Sequence, residues 1–337
     1  MIDTADRMDD FLGPPHPEAL ERIAATSSAW LNECLGLLAV ADGARLELVD
    51  HWTTFQREPA FCRLLAQLLT VVERDRGDSH APLPIWADLD ERGPSGRLLY
   101  YYLFALATPG LLEYYDALQV PDDVVTSSLS ALERHAQTHR LKWGTYGVDA
   151  GWWMLPILRG EILQIGSLKF HRFDLGEGVL TPEPWYDAAE QDRRGPGFRY
   201  GDQSLGIHIP ARIDISPAAL DATFARAREV LAVVWPARCR RLATCESWMI
   251  DDRLPDALGP SSRIVAFQQR FELLPTWRDD RTNVLEFVFR QPGTALEDLV
   301  PKSRLQAFIR TTLASGEWQS RIGWCDFDGP PAQRQNV

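Results

Sequence analysis

Between residues 17 and 140 apolar positions recur every three or four residues, the spacing of a buried helix face. After Pro17-Glu18 one stripe holds Leu20, Ile23, Ala24, Trp30 and Leu31. FCRLLAQLLTVVERDR sets Phe61, Leu64, Leu65, Leu68, Leu69 and Val72 on another. RLLYYYLFALATPGLLEYYDAL is apolar on nearly every side, which predicts a helix buried all round and broken at Pro109-Gly110. Pro121-Asp122-Asp123 opens a further helix through VVTSSLSALERHAQTHRLKW, with acidic residues in the first turn, where the helix dipole favours them. Gly, Pro and charge in RDRGDSHAPLPIWADLDERGPSG make that stretch a loop.

The pattern changes near Lys142-Trp143-Gly144, and shorter apolar runs follow. WWMLPILRG predicts a strand. In EILQIGSLKFHRFDL, Ile162, Gln164, Leu168 and Phe170 alternate with outward residues, and Gly166-Ser167 bends the pair. Residues 176 to 200 form a long loop. SLGIHIP is the next strand, and the helix after it carries Leu220, Phe224, Ala227, Leu231 and Val234 at helical steps. RLATCESWMID then predicts a strand, SSRIVAFQQRFELL a helix, TNVLEFVFR a strand and SRLQAFIRTTLASG a helix, before a frayed GPPAQRQNV tail. The expected class is mixed α/β (α+β). A helical N-terminal domain (1–142) precedes a mixed sheet flanked by helices (143–328), with a tail at 329–337.

Composition narrows the function classes. Hydrophobic content of 45% and charged content of 24% across 337 residues are globular values. A net charge of −12 argues against a nucleic-acid surface, although a single anion needs only local amides and an Arg or two. Cys34, Cys62, Cys239, Cys245 and Cys325 are widely spaced, so free thiols are expected rather than a disulfide framework or zinc ribbon. His135 and His139 in HAQTH have the spacing of helical zinc ligands but lack the intervening Glu and a third ligand, so no metal is expected. MIDTADRMDDFLG has no apolar core of a signal peptide, and no stretch reaches membrane-spanning length. A cytoplasmic protein without membrane partners is the expectation.

Candidate chemistry gathers in two places. Ser216 is a favoured N-cap and Pro217 suits the first helical position. First-turn amides such as that of Ala218, with Arg212 in the loop, suit a phosphate or carboxylate, whereas Asp214 opposes one. A plain helix cap and an anion site both fit. Pro210 ends the strand, which leaves the backbone around Ile207 and Ile209 for an extended ligand. In CESWMIDD, Glu246 beside Trp248 suits a general base, and Ser247 a hydrogen-bonding group. A solvated or paired glutamate is the plainer reading. His208 alternates with Ile207 and Ile209, as a structural histidine or a base would.

GEILQIGSLKF, LGIHIPARIDISPAALDATFARA, CESWMIDDRLPDALGPSSRIVAFQQRF and LQAFIRTTLASGEWQSRIGW together resemble an actinobacterial family of acyltransferase-domain proteins. Its members pair a helical N-acyltransferase-type N-terminal domain with a GNAT-like C-terminal domain. The resemblance implies acetyl-CoA or another acyl-CoA as co-substrate, lying along a strand that splays from its neighbour. Leu205 to Ile209 would be that strand, Arg212 to Ser216 the phosphate loop, and Pro217 to Val234 the helix behind it. RLATCESWMI would lie across the split. Ile207, Ile209, Arg212, Ser216 and Ala218 would then hold the cofactor. An acyl group would pass to a small-molecule amine or peptide, with Glu246 as base, His208 in reserve and Ser247 orienting the acceptor. The loop PARIDIS lacks spaced glycines, and SSRIVAFQQRF lacks a tyrosine acid. The missing glycine signature favours the alternative, a non-catalytic GNAT-like ligand- or partner-binding protein.

Overall fold

The computed structural model describes residues 11–81, 89–174, 201, 203–236, 242–279, 281–291, 294–316 and 318–328. The loop expected at 176–200 and the tail at 329–337 lie outside them. The chain forms two compact units, 1–163 and 164–337.

The first unit is helical: α1 (Pro17–Ala25), α2 (Ser28–Leu37), α3 (Asp42–Phe55), α4 (Pro59–Arg74), α5 (Pro94–Ala117), α6 (Asp122–Leu129), α7 (Ala131–Trp143) and α8 (Met154–Leu158). Helix α5 is buried from Leu98 to Thr108 and forms the axis of the unit. Trp52, Phe55 and Tyr102 stack beside it, with Trp52 and Tyr102 centroids 4.7 Å apart. The expected break at Pro109 does not occur, and α5 runs through it. Proline removes the N–H that would bond Ala105 O. The Cys34 thiol donates to that carbonyl instead, at 3.4 Å, which offsets the lost bond. WWMLPILRG is also not a strand. It forms a short turn and α8, whose five residues are all buried, and an apolar run without alternation suits a buried helix as well as a strand. The single helix expected after Pro121 is two, divided at Ser130.

Two polar clusters sit inside this unit. Arg159, fully buried, lies 2.5 Å from Glu161 and 4.0 Å from Asp75. His139 is buried with Nε2 2.5 Å from Asp90 Oδ2 and Nδ1 3.0 Å from Thr145 O. Both ring nitrogens face acceptors, and only the imidazolium donates to both. Burial pulls the His139 pKa down, but its bonds to Asp90 and Thr145 outweigh that, and the net shift is upward. The stabilisation is therefore complete below the unfolded value, about 6.5, and is lost as pH rises through the raised folded value. Urea midpoints measured from pH 6 to 9 should fall with rising pH, and His139→Gln should flatten that slope.

The second unit is built on a six-stranded sheet in the order β1-β2-β3-β4-β6-β5. The strands are β1 (Ile162–Ile165), β2 (Leu168–Asp174), β3 (Gln203–His208), β4 (Leu242–Ser247), β5 (Glu272–Asp279) and β6 (Gln319–Asp326). Its helices are α9 (Pro217–Val234), α10 (Leu254–Leu258), α11 (Arg263–Gln268), α12 (Arg281–Phe289) and α13 (Arg304–Ser315). Strands β3 and β4 are parallel, while β2–β3, β4–β6 and β5–β6 are antiparallel. Phe170 of β2 meets Phe224 of α9 and Phe327 edge-on, at 6.2 and 5.8 Å, which seats α9 on one sheet face.

Gly166 turns β1 into β2 at φ +55°, and a Cβ there would stand 2.5 Å from Thr223 Oγ1. The same oxygen accepts the Ser167 N–H at 2.9 Å, tying the turn to α9. Gly166→Ala combines left-handed strain with this clash and should cost about 1–3 kcal/mol in urea denaturation.

Three further expectations change. TNVLEFVFR is helix α12, not a strand: Val284 and Val288, and Leu285 and Phe289, also recur at helical spacing. That face packs on Ile309, Leu313 and Trp318. The helix expected over SSRIVAFQQRFELL ends at Gln268 and gives way to β5. Phe267 and Phe271 are both buried, with centroids 5.1 Å apart, as the chain turns between them. Strand β4 stops at Ser247, whose Oγ accepts the Met249 N–H at 3.1 Å and starts a 3-10 turn over Trp248–Ile250. The strand alternation expected through Met249 and Ile250 therefore does not hold. Among the described residues, no helix is long and apolar enough to cross a membrane.

Candidate functional site

The parallel pair at the centre of the sheet is short. Leu205 pairs with Ala243 and Gly206 with Thr244, yet β3 runs on to His208 and β4 to Ser247. The flanking ladders are longer, from Lys169–His208 to Asp174–Gln203 on one side and from Leu242–Asp326 to Ser247–Arg321 on the other. Both strands are thus anchored outward and part from each other toward their C-terminal ends.

Side-chain alternation decides what borders the parting. Ser204 Oγ and Thr244 Oγ1 lie 3.3 Å apart, so they share a face. With period two, Gly206 and His208 of β3 and Glu246 of β4 follow on that face. His171 opposes Gly206 and Lys169 opposes His208, which adds both β2 residues to it. The opposite face carries Phe170, Leu205 and Ile207, all buried. One side of the sheet is core and the other is polar. On the polar side Lys169, His171, Ser204 and Thr244 are buried, while His208 and Glu246, at the parting, are half-buried.

His208 Nε2 stands 3.3 Å from His171 Nδ1. Burial first, then the charges of His171 and Lys169, holds the His208 pKa well below the ordinary histidine value. Its imidazole is therefore neutral at neutral pH and able to accept a proton. By continuing the register from Gly206–Thr244, Glu246 is the β4 residue level with His208.

Beyond β3 the chain passes Ile209 and Pro210, both half-buried, and turns at exposed Arg212, φ +61°. Ser216 caps α9, its Oγ accepting the Ala219 N–H at 3.4 Å. Asp214 accepts the Ser216 N–H at 2.9 Å and the Ser216 hydroxyl at 3.0 Å. These two bonds, with Arg263 at 3.3 Å, hold the Asp214 carboxyl below its usual pKa. The exposed Ala218 N–H is engaged by no acceptor among the described residues.

The register thus sets His208 and Glu246 level beyond the last β3–β4 rung, and Ile207, Ile209, Arg212, Ser216 and Ala218 follow along the chain from β3 to the α9 N-terminus. Ser247 is out of phase with Glu246, and its hydroxyl is engaged by the Met249 N–H. Sequence reasoning missed His171 and Lys169. The alternation in LKFHRFD puts them on one face, but only the β2–β3 register sets that face beside His208.

Residues 29–160 match the N-acyltransferase N-terminal domain, and residues 162–325 the GNAT-like C-terminal domain. Solved structures agree along nearly the whole chain. An acyltransferase in complex with decanoyl-CoA has a TM-score of 0.77 and 25% identity, over 95% of this chain and 93% of that one. An acyltransferase in complex with decanoyl-CoA and teicoplanin has a TM-score of 0.77 and 26% identity, over 96% and 94%. An acyltransferase mutant in complex with octanoyl-CoA has a TM-score of 0.78 and 25% identity, over 95% and 93%. No curated protein sequence matched the chain. With both domains present, in the same order and on the same fold, the chain belongs to the acyltransferase family that joins an N-acyltransferase N-terminal domain to a GNAT-like C-terminal domain.

Proposed function

We propose that this protein is an acyl-CoA-dependent N-acyltransferase that moves an acyl group to an amine. The carrying observation is the parting of β3 from β4, with His208 and Glu246 level on its two sides. An extended pantetheine arm fits such a parting as an added strand, bonding backbone groups around Ile207 and Ile209. Its diphosphate then meets the Ala218 N–H, the α9 dipole and Arg212. Asp214 must yield part of its hold on Ser216 for this, and its exposure leaves it room to turn away.

Amine attack on a thioester forms a C–N bond and releases a proton. His208 takes that proton as a neutral base, and the CoA sulfur leaves as the C–S bond breaks and is protonated in turn. This assignment places His208 ahead of Glu246 as base, because burial and neighbouring charge keep the imidazole unprotonated. The Glu246 carboxylate draws the acceptor's ammonium form to the opening, and one proton passes to solvent before the neutral amine attacks. Structural neighbours hold decanoyl- and octanoyl-CoA, which supports a medium-chain donor over acetyl-CoA. The teicoplanin complex supports a peptide-like acceptor.

Titration calorimetry with acetyl-CoA and decanoyl-CoA, followed by thiol release with teicoplanin and simple primary amines, tests the reading. Heat and thiol release are expected with decanoyl-CoA. Absence of heat with both donors would overturn it. The second reading, a binding protein without turnover, is favoured by the Asp214 carboxylate already seated at the α9 N-terminus. It predicts heat without thiol release.

A further inference from the structure

We propose that His171 is a positioning residue for acyl transfer, its Nδ1 holding the Nε2 edge of His208 so that the ring presents its other nitrogen as the base. The proposal rests on the acyl-transfer reading above. The rings are 5.4 Å apart between centroids, tilted by 41°, with Nδ1 and Nε2 separated by 3.3 Å. They belong to diagonal rather than directly opposed positions, since His171 faces Gly206 and His208 faces Lys169. Diagonal partners on antiparallel strands lie about 7–8 Å apart at the backbone, within reach of long or aromatic side chains. Gly206 has no side chain to stand between them, so the His171 ring can lean along the diagonal.

One proton fits between two facing ring nitrogens. If His208 Nε2–H donates to His171 Nδ1, the lone pair of His208 is on Nδ1. The imidazolium formed during reaction then keeps the same bond, stronger for being charged. If His171 donates instead, Nε2 of His208 is occupied as an acceptor, and a proton arriving on His208 would set two N–H groups against each other. The first arrangement is the productive one. On the sheet face that His208 shares, the titratable groups among the described residues of the neighbouring strands are Lys169 and His171 on β2 and Glu246 on β4. Lys169 disfavours a positive charge on His208, so an acceptor bond from His171 matters most in the charged state. This is the logic of a base oriented by a third group.

The test uses full-length protein carrying His171→Phe, which fills the space without an acceptor, and His171→Asn, whose side-chain oxygen stands near the Nδ1 position. Thiol release from decanoyl-CoA with teicoplanin and simple primary amines should fall by at least ~10-fold in kcat for His171→Phe, with KM for decanoyl-CoA nearly unchanged. The acid limb of its pH profile should move, and His171→Asn should recover most of the rate. Nitrogen-15 NMR of histidine side chains, without any substrate, should show His208 as the Nε2–H tautomer in the wild type. In His171→Phe that tautomer preference should be lost. Equal rates in both variants, or an Nδ1–H tautomer in the wild type, would overturn the proposal. Full activity in His208→Ala would instead overturn the assignment of His208 as base.

Discussion

His208→Ala should lower the turnover of decanoyl-CoA by about 10²–10⁴-fold, the range a positioned general base contributes. Donor binding should survive, because the backbone of β3 and the α9 amides remain where they are. The imidazole is half-buried at the end of β3, and its loss removes no core residue, so the melting temperature should change little. His208→Gln is the sharper variant, because it keeps a polar side chain of similar reach but cannot take up a proton. A parallel fall in kcat for both variants, with unchanged heats of decanoyl-CoA binding, identifies a proton-transfer role. A rise in the donor dissociation constant alone would assign His208 to binding. The same series on Glu246 separates the two flanks of the opening. Glu246→Gln should raise KM for the amine more than it lowers kcat if the carboxylate acts by attracting the ammonium form.

Arg159→Leu should strongly destabilise the helical unit, by about 3–5 kcal/mol. The guanidinium is fully buried and faces Glu161, 2% exposed, and Asp75, 8% exposed. Removing the cation strands a carboxylate away from water, and that desolvation, rather than the loss of a salt bridge, sets the cost. The carbonyl of Arg159 also accepts the Gly77 N–H at 2.8 Å, which a side-chain exchange leaves intact. The double variant Arg159→Leu with Glu161→Leu should recover much of the loss, because two apolar groups need no compensation. Urea denaturation of the single and double variants measures both values. A single-variant loss under about 1 kcal/mol would mean that water reaches the cluster.

Local signals were legible where one period prevailed. The helical class of the stretch before Trp143, the β1–β2 pair around Gly166 and the bounds of α9 follow from spacing, caps and glycine, whereas the stripe from Leu20 to Leu31 is two helices, with Leu20, Ala24 and Trp30 exposed. Failures occurred where one stretch satisfied two periods, as in TNVLEFVFR, or none, as in MLPIL, because burial on every side erases alternation. Pro109 misled for a different reason: the bond it removes is replaced by Cys34, distant in sequence. At the site, Glu246, His208 and the capped α9 were visible as residue types. Their meeting was not, because β3–β4 pairing and the β2–β3 register join segments separated by at least 28 residues. His171 was invisible for the same reason, its importance arising only from the ring it faces.

The parted strands also divide the sheet mechanically. β1-β2-β3 and β4-β6-β5 are two rafts, riveted by two rungs and one hydroxyl pair between Ser204 and Thr244. A twist of one raft against the other would widen or narrow the slot, and the Phe170–Phe327 contact, 5.8 Å between centroids, resists it on the core face. The last rung, Gly206 with Thr244, thus sets the closed end of that slot, although neither residue need ever touch a ligand.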